Sequence, residues 1–301
     1  MEKKEILVSV GLPVYNGGKF IEEALDSVLE QTHTNFELII SDNGSTDNTE
    51  AICRKYQKKD SRIKYIRHEQ NLGGVFNFDY CVKKAVGKYF TFLAYDDLLN
   101  KNFLEITLDY LFYHKECVLV AGDYELIDQF GIHIENFTLD RTRENVSWRE
   151  RRRQFFKYPT SSKIYFFGYG LYKTDIVKRV YADKFRTKMF KGSDMASLCR
   201  IATLGEMVSI PTILRKFRIH ENSSVKIEMS KLNKKPLLIK RLILFTNVCE
   251  VRFDQARVLI KSCLPINEKI RILSFVYFQY FKSFLSRILN LPKKISSLLK
   301  N

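Results

Sequence analysis

Phe36-Glu37-Leu38-Ile39-Ile40-Ser41-Asp42-Asn43-Gly44-Ser45-Thr46-Asp47 carries the pattern on which the fold turns. The first half is a short run rich in β-branched and apolar residues, the length and composition of a buried strand. It stops at Asp42, and Gly44 then permits a tight turn with positive φ. Asp47 and Glu50 suit a capping-box-like helix start, and Ala51, Ile52 and Tyr56 continue it at helical spacing. Strand, turn and helix therefore follow one another without a spacer. Upstream, Ile6-Leu7-Val8-Ser9-Val10 reads as a strand, and Phe20, Ile21, Ala24, Leu25, Val28 and Leu29 as one helix face. Downstream come a strand at Ile63–Arg67, a helix at Val75–Ala85, a strand at Tyr89–Leu93, a helix at Phe103–Phe112 and a strand at Cys117–Ala121. This alternation predicts an α/β fold, a mostly parallel sheet with helices on both faces. Such sheets bind ligands beyond the carboxyl ends of their strands. That rule selects Leu12–Asn16, Asp42–Thr46, Asn71–Gly74 and Tyr95–Asp97 as site loops.

Residues 126–222 are less regular. They hold the basic cluster Arg149–Arg153, read as a solvated face, the aromatic stretch Tyr165–Tyr172, and two strand-like runs, Val208–Ile210 and Leu214–Phe217. After Ser224 the character changes. Leu237–Leu264 and Ile266–Leu289 show apolar residues at helical spacing, punctuated by Pro265 and Pro292. Of the formal charge of +16, +12 falls in residues 231–301, which points this C-terminal α-helical tail at a polyanionic partner. A hydrophobic content of 45% with 28% charged residues excludes a disordered chain. The cysteines, Cys53, Cys81, Cys117, Cys199, Cys249 and Cys263, form no CxxC pair and are read as buried reduced thiols. No secretory signal and no run of about 20 apolar residues is visible, so a cytoplasmic protein is expected.

Several residues at the predicted sheet edge carry chemistry. An Asp directly after a buried strand, here Asp42, suits the imide N–H of uracil or thymine, although an ordinary Asx turn would look the same. Asp96 and Asp97 repel each other unless a cation lies between them, and oxygen ligands suit Mg²⁺ or Mn²⁺. Asp194, in Lys191-Gly192-Ser193-Asp194, sits near a helix start and suits either a base or a cap. Arg218 and His220 alternate with apolar residues, share one strand face and suit an anionic ligand or a metal. The GxGxxG and GxxxxGK[ST] motifs are absent, which argues against dinucleotide enzymes and P-loop NTPases.

Taken in order, Pro13-Val14-Tyr15-Asn16, the Asp42–Asp47 loop, Asp96-Asp97, Gly192-Ser193-Asp194 and Arg218-Ile219-His220 resemble the family 2 inverting glycosyltransferases of GT-A fold over roughly residues 6–224. The resemblance implies a GT-A domain over 1–224, with a nucleotide-binding half to about 125 and an acceptor half over 126–224, followed by a basic amphipathic tail over 225–301. It implies transfer of a sugar from a nucleoside diphosphate donor, with a UDP-sugar favoured, to a hydroxyl of a saccharide or lipid-linked acceptor in cell-surface polysaccharide or glycolipid synthesis. By position, Pro13, Tyr15 and Asp42 frame the base, with Asn16 and Asn71 on the same edge. Asp96 serves the ribose and, with Asp97 and His220, a Mn²⁺ or Mg²⁺ ion. Arg218 serves the diphosphate and Asp194 is the base. Ala94 stands where the family often carries the first Asp of its metal motif, and Asn43 where it often has a second Asp. The tail, from about Pro236 to Asn301, is expected on an anionic membrane surface at the inner face, through a helix face of Leu273, Val276, Tyr277, Tyr280, Phe281, Phe284 and Ile288. No nucleic-acid partner is expected. The alternatives are a sugar nucleotidyltransferase and a basic nucleic-acid-binding protein.

Overall fold

A computed structural model of the chain describes residues 2–139, 152, 166–182, 190–221, 223, 255–274 and 277–278. The elements in order are β1 (Val8–Val14), α1 (Ile21–Leu29), β2 (Phe36–Asp42), α2 (Thr49–Lys59), β3 (Ile63–Arg67), α3 (Gly74–Lys84), β4 (Tyr89–Phe92), β5 (Leu98–Leu99), α4 (Phe103–Tyr113), β6 (Cys117–Ile127), β7 (His133–Phe137), β8 (Leu171–Lys173), α5 (Thr174–Tyr181), α6 (Phe190–Leu204) and β9 (Glu206–Arg218). Helical turns follow at residues 255–261 and 266–274.

The strands form one sheet in the order β3-β2-β1-β4-β8-β6-β9-β5, with β7 on β6. The part of the sheet formed by β3-β2-β1-β4 is wholly parallel, as its βα alternation predicts. Beyond it the sheet is mixed. β8 runs antiparallel to both β4 and β6, while β6 and β9 pair in parallel. The two strand-like runs around Pro211 are one strand: the pairing of β6 with β9 skips from Ile210 to Ile213, so Pro211 sits at a bulge that asks no N–H of it.

Side-chain alternation explains the two layers. Val8, Val10, Leu12 and Val14 of β1 and Leu38 and Ile40 of β2 face one cluster with α1, α2 and α4. Ile39, Phe90 and Phe92 face the other, with α3, α5 and α6. Each fully buried aliphatic side chain contributes about 1.5–3 kcal/mol. On the second face β1 carries only Ser9, Gly11 and Pro13, because α3 lies close: a Cβ at Gly11 would come within 2.8 Å of Cys81 and Phe90. Pro13 fits for a further reason. Gly11 O accepts Leu93 N, so alternate residues of β1 face β4, and at Pro13 that strand has already ended.

The described part of the tail packs on this core. Leu259 and Ile272 are fully buried among α3, α5 and α6 residues, and Gln255 Nε2 donates to Cys199 Sγ. Leu273, expected on a lipid-facing stripe, is instead partly buried against this cluster, whereas Tyr277 is exposed. Val276, Tyr280, Phe281, Phe284 and Ile288 lie outside the described residues. Arg152, expected to be solvated, is buried and pairs with Glu268 at 2.6 Å, because the tail covers it. Four cysteines are buried thiols as expected; Cys263 is exposed, in the short connection between the tail helices, and Cys249 lies outside the described residues. Among the described residues no helix is long and apolar enough to cross a membrane.

Candidate active site

The loops at the carboxyl ends of β1, β2 and β4 are stitched into one surface. Asn16 takes a left-handed conformation (φ 52°), which Asn tolerates better than most residues. This turns its side chain onto the second loop, where its Oδ1 accepts Thr46 N at 2.8 Å. Asn16 N in turn donates to Ser45 Oγ at 2.9 Å, Gly17 N to Thr49 Oγ1 at 2.9 Å and Gly18 N to Asp47 Oδ2 at 2.9 Å. Asp47 also accepts from Thr49 through Oδ1. Half of the expected capping box is made: Asp47 Oδ1 accepts Thr49 N at 3.1 Å, while Glu50 pairs with Arg54 and Arg67, and Asp47 also bridges the loops. Burial raises the Asp47 carboxyl, but the bonds from Thr49 and Gly18 outweigh it and hold it below its usual value. Gly17 completes the join, since a Cβ there would lie 2.6 Å from Val14 and 2.8 Å from Tyr95 of the third loop. Pro13 is buried beneath this surface, and Tyr15 is an exposed ring above it.

Asp42 departs from the expectation of an open base reader. It is fully buried, Oδ1 accepts Ser45 N at 2.8 Å and Oδ2 accepts the Tyr65 hydroxyl at 2.6 Å. Arg67 stands 4.0 Å away, with Nη2 donating to Ser45 O. The neighbouring Asn43, which sequence reasoning noted only as a departure, holds the fourth loop. Its Nδ2 donates to Asn71 Oδ1 at 2.8 Å and its Oδ1 accepts Leu72 N at 3.0 Å. Asn71 Oδ1 also accepts Gly73 N.

Asp96 and Asp97 lie side by side but differ in surroundings. Asp97 is buried, and its Oδ1 accepts Arg218 N at 3.0 Å. Burial and then the Asp96 charge push its carboxyl well up. It thus faces the strand and not the open side. Tyr95 is raised to about 12 by burial and by the charges of Asp96, Asp97 and Asp47. Asp96 Oδ2 lies 2.9 Å from His220 Nε2, although 124 residues separate them. The His220 ring packs at 4.8 Å on Phe20. The two side chains bond each other directly; a carboxylate oxygen and an imidazole nitrogen are also donors that a borderline divalent ion such as Mn²⁺ accepts. Such ions commonly take only one or two protein donors and complete their shell with phosphate oxygens and water. Among the described residues no group of three or more His, Cys, Asp or Glu gathers where it could hold a metal ion.

Arg218 was expected to face a diphosphate. Its side chain is 1% exposed. Nε donates to Asp96 O at 3.0 Å and Nη2 to Glu23 Oε2 at 2.8 Å, while Phe20 lies 4.9 Å from the guanidinium. Sequence reasoning missed Glu23, which reads as one more polar residue on the outside of α1. It also missed Arg215, whose guanidinium crosses from β9 to donate to Thr91 Oγ1 and Phe92 O at 2.7 Å. Burial lowers Arg215 to about 10. Asp194 lies within α6, after its first turn; its side chain is outside the described residues.

The architecture is shared with solved glycosyltransferases. TarS of S. aureus (residues 1–349) with UDP superposes with a TM-score of 0.64 at 20% identity, over 92% of this chain and 72% of that one. Its complex with UDP-GlcNAc gives 0.65 at 19% identity, with 92% and 73% covered. The mannosyltransferase PcManGT of Pyrobaculum calidifontis with GDP-Man and Mn²⁺ gives 0.54 at 15%, with 94% and 80% covered. These likenesses establish the GT-A fold. Among curated relatives, TuaG of Bacillus subtilis (strain 168), named for teichuronic acid biosynthesis, is 37% identical over 131 residues, 44% of this chain and 52% of TuaG. GlyG of Streptococcus pneumoniae serotype 4 is 36% identical over 124 residues, 41% and 40% of the two chains. The match therefore spans about half of TuaG and less of GlyG. A glycosyltransferase of Methanocaldococcus jannaschii, MJ1057, is 29% identical over 236 residues, 77% and 78% of the chains. The glycosyl transferase family 2 pattern matches residues 9–181, more than half of the chain, and the chain belongs to that family.

Proposed function

We propose that the chain transfers a sugar from a nucleoside diphosphate donor, a UDP-sugar by preference, to an acceptor hydroxyl, with inversion at the anomeric carbon. The observation that carries this reading is the meeting of Asp96 Oδ2 and His220 Nε2 at 2.9 Å, at the carboxyl edge of the parallel strands. These two residues would hold a Mn²⁺ or Mg²⁺ ion, which supplies positive charge to the diphosphate. The base and ribose would lie over Tyr15, Asn16 and Asn71, with Pro13 below. Asp42 serves that surface from beneath, by fixing Ser45 and Tyr65. Asp194 is proposed as the base: as the acceptor oxygen bonds to the anomeric carbon and the bond to the diphosphate breaks, its carboxylate takes the hydroxyl proton.

Saccharide or lipid-linked acceptors of cell-surface polysaccharide or glycolipid synthesis fit the names of relatives such as TuaG. The tail has two faces. Leu259 and Ile272 join the core, while Ile266, Ile270, Tyr277 and Phe278 are exposed beside Lys269 and Arg271. That outer face suits an anionic membrane surface, so a peripheral enzyme at the cytoplasmic leaflet is the reading we favour. Incubation with Mn²⁺ and a panel of UDP-, dTDP- and GDP-sugars tests the donor. Slow release of free sugar from one UDP-sugar is expected; absence of turnover and of nucleotide binding across the panel would overturn the assignment.

A further inference from the structure

We propose that Glu23 is a resident anion on Arg218, a carboxylate that this buried guanidinium exchanges for a phosphate oxygen when the donor binds. The inference rests on the nucleotide-sugar reading above and adds to it a residue on a different element. Three observations carry it. First, Arg218 stands one residue deep from the proposed ion site: its Nε donates to the carbonyl of Asp96, whose carboxylate meets His220. The Phe20 ring packs against both His220 and the Arg218 guanidinium. A diphosphate bound at Asp96 and His220 would therefore lie beside Arg218. Second, the two members of the Glu23–Arg218 pair are unequally buried. The Arg218 side chain is 1% exposed and the Glu23 side chain 54% exposed, so the carboxylate reaches in from solvent and covers the cation. Third, the remaining contacts of the guanidinium are weaker or fixed: Nη1 lies 3.5 Å from the carbonyls of Asp128 and Gln129, and Nε holds main chain. Glu23 Oε2, at 2.8 Å, is the partner that a rotation of one exposed side chain releases.

A carboxylate and a phosphate offer a guanidinium the same charge and the same forked geometry. Glu23 thus fills the anion position while the site is empty, so that a buried cation never lacks a partner. The arriving diphosphate must compete with it. A plain strut would behave in the opposite way, because its removal would loosen Arg218 and weaken binding.

The direction of one change separates the two roles. Wild type, Glu23→Gln and Glu23→Ala are titrated calorimetrically with UDP, and separately GDP, in the presence of Mn²⁺. Their melting temperatures are read with and without nucleotide. Competition predicts that both variants bind the nucleotide diphosphate about two- to fivefold more tightly, the scale of a part-exposed charge pair. It also predicts that the nucleotide-induced rise in melting temperature grows while the nucleotide-free protein melts no higher than wild type. If wild type binds nucleotide and both variants bind it equally or more weakly, Glu23 is a strut and the inference is overturned. If wild type binds neither UDP nor GDP, the nucleotide-sugar reading itself falls, and this inference with it.

Discussion

Tyr65→Phe is the sharpest test of what Asp42 does. The change removes one oxygen and alters no shape. In the folded protein the Tyr65 hydroxyl donates at 2.6 Å to Asp42 Oδ2, and Asp42 is fully buried, so water cannot replace the lost donor. Burial, followed by the Asp42 charge, raises the Tyr65 phenol far above its usual value, so it remains a donor wherever the protein folds. A hydrogen bond to a charged acceptor contributes about 1.5–3 kcal/mol, and leaving a buried acceptor short of one lies in the same range. Ser45 N at 2.8 Å still serves the other oxygen, which favours the lower half, about 1.5–2 kcal/mol. Urea unfolding should therefore show a lower midpoint at unchanged slope. Affinity for UDP with Mn²⁺ should stay within about twofold, roughly 0.4 kcal/mol, because Tyr65 braces Asp42 and does not itself meet the base. A loss of stability below about 0.5 kcal/mol with a large loss of UDP affinity would refute this account. It would restore Asp42 as an open base reader.

Asp96→Asn should weaken Mn²⁺-dependent UDP binding by about tenfold or more while leaving the EDTA-insensitive part unchanged, since the amide lacks the charge that holds a cation; calorimetry with and without EDTA reads both. Asp194→Asn should keep near-normal UDP affinity and lower turnover by about a hundredfold or more, the scale of a lost general base, measured on a turned-over acceptor. Glu37 ties β1, β2 and the turn before β4. Burial raises its carboxyl, but bonds from Lys64, Ser9 and Val86 N outweigh this and hold it below its ordinary 4.5. A depressed folded value means its stability is present above pH 4.5 and lost as pH falls through the lower folded value. Glu37→Gln should therefore cost stability at pH 7 and progressively less in urea titrations below about pH 4; a cost independent of pH would refute the ionic account.

The N-terminal, parallel part of the sheet was legible in the sequence because its signals are local. Strand, turn and helix in Phe36–Lys59 follow from adjacent residues, and β1 to α4 fall within a few residues of the expected bounds, apart from the two-residue β5, which no local pattern marks. That Asp96 and His220 serve one site was an expectation of the family resemblance and not of local pattern. What was not legible depends on contacts between distant residues. The burial of Asp42 comes from Tyr65, 23 residues on, and the partner of Arg218 lies 195 residues away on α1. No periodicity marks Glu23 among its polar neighbours. The antiparallel β8 is three residues long and sits between two strands that local pattern alone would pair. The tail's basic, apolar composition is equally suited to lipid and to protein, and only tertiary packing distinguishes Leu273, turned inward, from Ile270, turned out.

That short strand has a consequence for how such chains diversify. β8 meets β4 over three rungs, Tyr89 to Lys173, Phe90 to Tyr172 and Thr91 to Leu171, and meets β6 over two. β6 and β7 both lie on the side of this seam away from the four parallel strands. The four parallel strands are joined to one another by ladders of four to seven rungs and to the rest of the sheet by three. The seam therefore works as a splice point. A lineage could exchange what lies beyond the seam, as one replaces the jaws of a tool, and keep the four-stranded handle.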